Sequence, residues 1–228
     1  MIYNNPALWP RKQIDPVFAN NSWEAIIAAC QSGNVHDSWM VGNSKTMTIN
    51  GTDYQIDIIG KNHDTYTAGG TAPLTFQMHD CYGELKNMES FNTNIGGWTS
   101  CAMRSTHLPA ILSMMPTEVQ TAIREVNKLT SAGSQSSTIN TTADKLFLLS
   151  EIEIFGSVTN SKSGEGTQYD YYKAGNSKVK RVNGSADNWW ERSPYSGSTY
   201  NFCYVGVRGG VGYSGASSDF GVSFAFCF

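Results

Sequence analysis

The sequence predicts an α+β fold in which short, twisted β-strands are mixed with two or three helices and long loops. Three observations predict it. Apolar residues recur at helical spacing in only a few segments, several short runs alternate apolar with polar residues, and two long polar segments follow neither pattern. Since 40% of the 228 residues are hydrophobic, the chain can bury a sizeable core. We expect an irregular arm over residues 1–20 and one domain over residues 21–228.

The arm and the first helix are predicted from prolines and capping residues. Three prolines discourage regular structure in the arm: Pro6, Pro10 and Pro16. Asn21 or Ser22 is expected to cap a short helix over residues 22–31, which Gly33 ends. The chain therefore enters its first regular element at the Asn21-Ser22 pair.

A hairpin, a strand and a helix are predicted next. Residues 45–60 alternate on both sides of Asn50-Gly51, a dipeptide that strongly signals a two-residue β-hairpin turn. Residues 73–81 predict another strand. Residues 106–115 carry apolar side chains at the spacing of an amphipathic helix. These elements indicate that the first half of the chain mixes helices with antiparallel strands.

The middle of the chain is predicted to hold a second helix between polar loops. Residues 116–129 are expected to be helical, with Pro116 in the first turn, where proline is tolerated. Residues 130–142 and 156–187 are rich in polar residues and are interpreted as long loops. The segment between them is expected to end in a half-buried strand, because four of its residues alternate: Glu151, Ile152, Glu153 and Ile154.

Several short β-like runs follow residue 187, and the last of them is strongly apolar. Four residues of this run fall on one face of an extended strand: Val222, Phe224, Phe226 and Phe228. A second alternation precedes it, with Cys203, Val205 and Val207 on one side and Phe202, Tyr204, Gly206 and Arg208 on the other. We expect one side of this run to pack inward and the other to present Tyr204 and Arg208 to solvent.

Charge and hydropathy exclude two classes of partner. Only 15% of the residues are charged and the net charge is −3, which gives no electrostatic case for binding nucleic acid. No segment is long and apolar enough to predict membrane insertion. The first residues place Pro and Asn where a signal peptide would have an apolar run. We therefore expect assembly in the cytoplasm, wherever the finished protein acts.

The five cysteines allow two interpretations. They show no Cys-x-x-Cys spacing and their number is odd, which argues against a fully paired disulfide framework. They are Cys30, Cys81, Cys101, Cys203 and Cys227. Either all are small buried side chains or a single bridge joins Cys203 to Cys227.

Residues suited to catalysis or metal binding do not form a recognisable set. His63-Asp64 and His79-Asp80 are adjacent pairs, and adjacent residues of a strand point to opposite faces, so neither pair chelates as it stands. The nucleophile elbow and the phosphate-binding loops are missing from the sequence. Glu151 and Glu153 are interpreted as a solvated sheet surface. We predict no catalytic residue, no metal and no cofactor.

Residues 195–220 are composed unlike the rest of the chain. More than half are Tyr, Gly or Ser, and only Arg208 and Asp219 are charged. Tyr provides stiff contact area that also forms hydrogen bonds, while Ser and Gly provide adaptable polar contacts, as in antibody loops. Composition alone leaves two readings equally open: a binding surface, or a Gly/Ser-rich β-loop region that only caps the fold.

A resemblance favours the first reading. Residues 188–194 (NWWERSP), 201–203 (NFC) and 216–228 (ASSDFGVSFAFCF) resemble the C-terminal block of variable proteins diversified by retroelements. Residues 39–51 (WMVGNSKTMTING) and 144–156 (DKLFLLSEIEIFG) resemble upstream parts of the same proteins. The sequence departs from the pattern at Glu191, where Leu is usual, and at Ser223-Phe224, where a small residue and Pro are common.

The resemblance implies a C-type lectin fold in the variant shared with formylglycine-generating enzymes, with a variable region over about residues 188–228. It implies sixteen diversified, ligand-binding positions: Tyr195, Gly197, Ser198, Tyr200, Tyr204, Gly206, Val207, Arg208, Gly210, Gly212, Tyr213, Ser214, Gly215, Ser218, Asp219 and Phe220. Fixed positions fall between them: Phe202, Cys203, Val205, Ala216, Gly221 and Val222. The aromatic scaffold is expected to be Trp189, Trp190, Phe202, Phe224 and Phe226. Tyr200, Tyr204, Arg208 and Tyr213 are the expected energetic hot spots.

Members of this family are receptor-binding tips of phage tail fibres or displayed bacterial surface proteins. The resemblance therefore implies a non-enzymatic adhesin that recognises a host cell-surface protein or glycan, as a homotrimer on a phage tail tip or, alternatively, at a bacterial cell surface. Two other functions remain open from the sequence. One is a formylglycine-generating-like or carbohydrate-active enzyme, although the paired active-site cysteines of the enzymes are not matched. The other is a structural tail protein whose loop only packs.

Overall fold

Antiparallel sheets of two to four strands carry the fold, which the computed structural model describes over residues 14–228. Strands take 31% of the residues and helices 20%, which confirms the α+β class. The predicted arm over residues 1–20 lies largely outside the described residues, and its described end closes with a short 3-10 turn, Phe18–Asn20. The helices are α1 (Trp23–Ser32), α2 (Gly97–Ser100), α3 (Leu108–Met114), α4 (Thr117–Ala122), α5 (Glu151–Phe155) and α6 (Asp170–Lys173).

The strands pair in four sheets within this part of the chain. They are β1 (Ser44–Ile49), β2 (Thr52–Lys61), β3 (Leu74–Met78), β4 (Val126–Ser131), β5 (Ile139–Asp144), β6 (Lys180–Val182), β7 (Ser185–Asp187), β8 (Trp189–Pro194), β9 (Asn201–Val205), β10 (Val211–Gly215) and β11 (Ala225–Cys227). The largest sheet has the order β1-β2-β3-β11 and the next β10-β9-β8, while β4-β5 and β6-β7 are two-stranded.

Helix α1 has the predicted ends. The Ser22 hydroxyl accepts a hydrogen bond from the backbone N–H of Ala25 at 3.3 Å, which satisfies a helix donor that would otherwise lack a partner. Gly33 ends the helix in the left-handed conformation, with φ of 71°. Ser22, and not Asn21, is therefore the cap; the Asn21 amide instead bonds backbone carbonyls of the preceding turn.

The predicted hairpin is the β1–β2 pair. Asn50 and Gly51 have φ of 48° and 77°, the pair of positive angles that a type I′ turn requires. Strand β3 continues the sheet, as expected from residues 73–81, and β11 adds the last strand with Phe226 opposite Phe76. The rings of this pair stack with centroids 5.4 Å apart. The C-terminal strand is thereby built into the centre of the core.

The prediction of one helix over residues 116–129 was wrong beyond its first two turns. Helix α4 ends at Ala122, and the chain then enters strand β4. Pro116 stands at the N-cap position, just before the first turn. Residues 126–131 form a strand because all six pair with β5, and the first four residues of β5 belong to the predicted loop over residues 130–142. Helix α3 occupies most of the other predicted helix and continues a π-helical turn, Met103–His107.

The predicted strand at Glu151–Ile154 is helix α5. Ser150 caps it with a reciprocal capping box: its hydroxyl accepts from the Glu153 N–H, and the Glu153 carboxylate accepts from the Ser150 N–H. Glu151 and Glu153 are both buried, so the expected solvated sheet surface is wrong as well. The Glu153 carboxylate pairs with buried cations, described below, and the Glu151 carboxylate accepts hydrogen bonds from the backbone N–H groups of residues 159–161. These partners explain why both carboxylates are buried.

One further expectation needs correction: the predicted loop over residues 156–187 contains helix α6 and the β6–β7 hairpin. The last eight residues of the chain are all buried, so both faces of the C-terminal run lie in the core. The five cysteines are free and buried, and the alternative Cys203–Cys227 bridge is not formed. Cys203 lies in β9 and Cys227 in β11, which belong to different sheets.

Candidate binding surface

The three-stranded sheet β10-β9-β8 carries the segment with the unusual composition. Its burial changes from one edge to the other: every residue of β8 is buried, β9 is mixed, and no residue of β10 is buried. The outer edge of β8 is covered, because Trp190 donates to the carbonyl of Gly221 and Arg192 to that of Leu149. The sheet therefore has one side anchored in the core and one side in solvent.

Burial separates the expected diversified positions from the fixed ones. All sixteen diversified positions are at least partly accessible to solvent. Seven of them are exposed: Gly197, Tyr200, Val207, Arg208, Gly210, Tyr213 and Asp219. The six fixed positions between them are buried: Phe202, Cys203, Val205, Ala216, Gly221 and Val222. The five aromatic scaffold residues are also fully buried. The ligand-binding role of the accessible positions stays a prediction.

Two of the accessible positions also contact the hydrophobic core. Tyr204 and Phe220 are partly buried and pack on Trp190, with Phe220 4.6 Å and Tyr204 6.3 Å from it between ring centroids. The Tyr204 ring covers Gly212, where a Cβ atom would lie 2.5 Å from the ring. The expectation that Tyr204 faces solvent is therefore wrong in part, because its ring packs against Trp190 and covers Gly212.

The opposite end of the surface carries a second aromatic pair. The rings of Tyr195 and Tyr213 stack in parallel, with centroids 3.8 Å apart and an interplanar angle of 3°. A hydrogen bond between the two side chains raises the pKa of Tyr195. Tyr200, which is 61% exposed, has no ring partner of this kind among the described residues. Tyr200 and Tyr213 are thus the large aromatic side chains that this surface presents.

Asparagine side chains, which the sequence did not single out, hold the loops of this surface. The Asn94 side-chain amide donates to the carbonyls of Ser198 at 2.9 Å and Asn201 at 2.8 Å, and its oxygen accepts from the Ser134 N–H at 2.8 Å. The Asn188 side-chain oxygen accepts from the Val207 N–H at 3.1 Å. These contacts fix loop backbone without using any diversified side chain as an anchor.

A third asparagine extends the surface onto another part of the chain. The Asn92 side-chain oxygen accepts hydrogen bonds from the backbone N–H and the hydroxyl of Ser217, at 3.1 and 2.8 Å. Phe91 beside it is 63% exposed, and Ile95 in the same loop is 67% exposed. No sequence pattern marked this loop, because its role depends on residues more than one hundred positions away.

Beneath the sheet lies a network of buried charges. Arg192 of β8 donates to both carboxylate oxygens of Glu153, one of them at 2.9 Å. Lys128 bridges Glu153 at 2.7 Å and Asp64 at 2.8 Å. Burial alone raises the pKa of Glu153, but Arg192 and Lys128 lower it below the ordinary range. The charges are paired, so the network connects β8 to β4, to α5 and to the segment that follows β2.

A second group of carboxyls in this region lacks such compensation. Burial raises the pKa of Glu165 to about 7, although the Ser193 hydroxyl and the Ser131 N–H both donate to it. Glu191 is fully buried, and neither of its carboxyl oxygens has a hydrogen-bond partner in the part of the chain that the structure describes. Burial, together with the charges of Glu151 and Glu165, raises the pKa of Glu191 well above its ordinary value. Burial of Glu191 therefore favours the protonated, uncharged form of its carboxyl group.

The histidine pairs have separate environments. His63 stacks on Tyr169 with ring centroids 3.9 Å apart, and Asp64 belongs to the charge network. His79 is half exposed and its Nδ1 lies 2.7 Å from the buried carboxylate of Asp57, which raises the pKa of His79. It lines a surface pocket of about 290 Å³ with Arg181. Within residues 14–228, no group of three or more His, Cys, Asp or Glu side chains is arranged to hold a metal ion.

One comparison with known proteins identifies the family. The profile of a family described as Domain of unknown function (DUF6273) matches residues 74–228. The match spans more than half of the chain, which therefore belongs to this family. It includes β3, the three-stranded sheet and the charge network except for Asp64. No curated protein and no solved structure matches the chain.

No helix in the described part of the chain combines the length and apolar character needed to cross a bilayer.

Proposed function

We propose that this member of the DUF6273 family is a non-enzymatic ligand-binding protein, in which a diversified C-terminal surface on a C-type lectin-like scaffold recognises a receptor on a host cell. One observation carries the proposal: within single short strands, buried residues expected to be fixed are interleaved with accessible residues expected to vary. The clearest case is β9, where Phe202 and Cys203 are buried and Tyr204 beside them is accessible.

This arrangement makes variation compatible with folding. Truncating a buried aromatic side chain costs about 3–5 kcal/mol, a large part of the stability of an ordinary domain. Substitutions at exposed positions without a special backbone angle usually change stability by within about 0.5 kcal/mol. Changes confined to the accessible set therefore alter the surface and leave the scaffold intact. A loop that only packs has no need for this separation, so the separation favours binding over a structural tail role.

The side chains of the surface suit recognition by contact. Tyr200 and Tyr213 provide rigid area with a polar end, and Arg208 adds a planar cation. Lys and Glu, which are depleted in the cores of interfaces, do not occur in residues 195–220. The loops that carry these residues are held by Asn94 and Asn188, which reduces the entropy lost on binding.

The state of the cysteines agrees with a non-enzymatic role. Burial raises the pKa of Cys30, Cys81 and Cys101 to about 12, and those of Cys203 and Cys227 rise well above the ordinary value. Thiols in this state are protonated and unreactive at neutral pH. An oxidase mechanism of the formylglycine-generating type uses reactive cysteines, so the five thiols of this chain do not suit it.

The resemblance of residues 188–228 to retroelement-diversified proteins supplies the biological setting of the proposal. We place the protein at the tip of a phage tail fibre, assembled in the host cytoplasm, with a bacterial cell surface as the alternative location. The receptor is a protein or glycan of the host cell. Three copies on one fibre would bind with high avidity even if each site is weak, because linked sites bind at a high effective concentration.

The test compares two triple variants of the full chain. The surface variant carries Tyr200→Ala, Arg208→Ala and Tyr213→Ala, and leaves out Tyr204 because its ring packs on the core. The control variant carries three substitutions at exposed residues elsewhere: Met40→Ala, Val158→Ala and Arg181→Ala. Fluorescently labelled proteins are applied to a panel of bacterial strains, and bound fluorescence is measured by flow cytometry.

We expect the parent and the control variant to bind the same strains equally. The surface variant should bind at least about tenfold more weakly and unfold within a few degrees of the parent, since each replaced side chain is exposed. Undiminished binding by the surface variant would contradict the proposal. Diversification is tested separately in the gene: a nearby copy of the codons for residues 188–228 that differs only at adenines, beside a reverse-transcriptase gene, is the expected finding.

A further inference from the structure

Strand β10 is the open edge of the three-stranded sheet. Gly206 donates to the carbonyl of Gly210, and Ala216 donates to that of Tyr200, at the two ends of the β9–β10 ladder. Hydrogen-bonded pairs alternate along an antiparallel ladder, so residues 212 and 214 direct their backbone groups toward β9. Val211, Tyr213 and Gly215 consequently direct their backbone groups away from the sheet.

These outward groups have almost no partners in the part of the chain that the structure describes. The Gly215 carbonyl accepts from the Ser218 N–H. The N–H groups of residues 211, 213 and 215 and the carbonyls of residues 211 and 213 take part in no hydrogen bond among the described residues. The strand thus presents a row of donors and acceptors that repeats every second residue, about 6.8 Å.

The other outer edges of the two larger sheets are covered or capped. Strand β11 exchanges hydrogen bonds with Phe147, and β8 donates to Gly221 and Leu149. On β1, the Thr46 carbonyl accepts from the indole of Trp23. Natural sheets also protect open edges with lysine or proline. Strand β10 has neither residue, and its Val211 and Tyr213 side chains are 41% and 47% exposed.

We propose that β10 binds its ligand by strand addition, in which an extended polypeptide segment of the receptor pairs with this edge. A backbone row of alternating donors and acceptors is matched at its own spacing by another strand, whereas a sugar has no such repeat. The edge is uncharged, which suits a segment without clustered charges. Exposed Phe91, beside Asn92 at the Gly215 end, offers an apolar contact for a side chain of the added strand.

The inference rests on the proposed function and deepens it, because it names the class of receptor. Backbone hydrogen bonds do not depend on the side chains of β10. They provide the same part of the affinity to every diversified version of the surface, while alternate side chains of the two strands provide the specificity. Because the backbone edge already provides part of the affinity, a diversified version needs fewer favourable side-chain contacts to bind a new partner than it would without this edge.

The test uses the full chain and a display library of random linear peptides about twelve residues long. Peptides selected on the parent chain are measured against Val211→Pro and Val211→Ala. Both variants lose the valine side chain, but only proline removes the outward N–H, at the first residue of a strand, where proline is tolerated. Because Val211 belongs to neither the diversified set nor the triple variant above, this result is independent of the cell-binding test.

We expect the peptides to bind Val211→Pro about tenfold more weakly than Val211→Ala, with similar unfolding temperatures for the two variants. N-methylation of alternate peptide residues should abolish binding, and methylation of the residues between them should not. Equal binding by the two variants, insensitivity to methylation, or a library without binders would overturn the inference. Self-association of the parent that Val211→Pro abolishes would also overturn it, since the edge would then serve a second copy of the chain.

The two proposals fail separately. If the triple surface variant loses cell binding while Val211→Pro retains it, the protein is a side-chain-based receptor binder and strand addition is wrong. If selected peptides pair with β10 but the triple surface variant binds cells undiminished, the edge is a peptide site and the proposed function is wrong.

Discussion

Glu191 offers the sharpest test of how the surface is supported. Its carboxyl group is fully buried and has no hydrogen-bond partner among residues 14–228. The block of retroelement-diversified proteins that this segment resembles usually has Leu at this position. Leaving a buried polar group unsatisfied costs about 1–3 kcal/mol. We therefore expect Glu191→Leu to stabilise the protein, after subtraction of up to about 1.5 kcal/mol for the change in side-chain shape.

Proton binding adds a dependence on pH. The pKa of Glu191 in the folded protein is raised well above the ordinary value of 4.5, so the folded state binds a proton that the unfolded state releases. Its favourable contribution is complete below pH 4.5 and is lost as pH rises toward the folded pKa. The loss is about 1.4 kcal/mol per pH unit between the two pKa values.

The assay is urea unfolding followed by tryptophan fluorescence at several pH values, for the parent, Glu191→Leu and Glu191→Gln. Both variants should lose the pH slope that Glu191 contributes, so their advantage over the parent grows with pH. Glu191→Leu should also exceed Glu191→Gln by an amount that does not change with pH, because only Gln retains unsatisfied polar atoms. A Glu191→Leu protein that is less stable than the parent at every pH, or an advantage independent of pH, would refute the reasoning.

Three further predictions concern residues that hold the fold or the loops. His79→Gln should destabilise the protein more at pH 5.5 than at pH 8.5 in urea unfolding, because Asp57 raises the pKa of His79 and the stability it contributes is lost as pH rises through that pKa. Asn94→Ala should cost about 2–3 kcal/mol, since it leaves several backbone groups without partners, and should speed limited proteolysis near residue 198; unchanged cleavage would contradict the loop-holding role. Arg192→Met should cost about 3–5 kcal/mol in the same unfolding assay, because Glu153 loses its bidentate partner, whereas a neutral or stabilising effect would show that the pair is replaceable.

Local signals predicted the elements that depend on few residues. The Ser22 cap, the Gly33 end and the Asn50-Gly51 turn are each specified by side chains that interact within a few positions. The helix over residues 151–155 also has a local signal, because Ser150 and Glu153 form a capping-box motif. The alternation of Glu with Ile obscured it, because a short run fits a strand and a helix almost equally well.

Other parts of the fold are decided by distant partners. Residues 126–131 form a strand because β5 pairs with them, and their own sequence carries no signal that predicts a strand. Lys128 and Arg192 are buried because Glu153 meets both of them, at separations of 25 and 39 positions. A single sequence shows the composition of the candidate surface but not that Asn94 holds its loop, because the partners of Asn94 are distant in the sequence.

The pairing of β11 with β3 has a consequence for biosynthesis. Phe226 and Phe76 face each other across this ladder and are 150 positions apart in the chain. Contacts of such long range close late and slow the folding of a domain. During translation, β11 cannot pair with β3 until residue 227 has left the ribosome. The apolar side chains of β3 that β11 covers are exposed until then. The same C-terminal block thus completes the core and carries the surface that we propose to be variable. Under that proposal, a version that cannot fold fails during maturation, before it can meet a receptor.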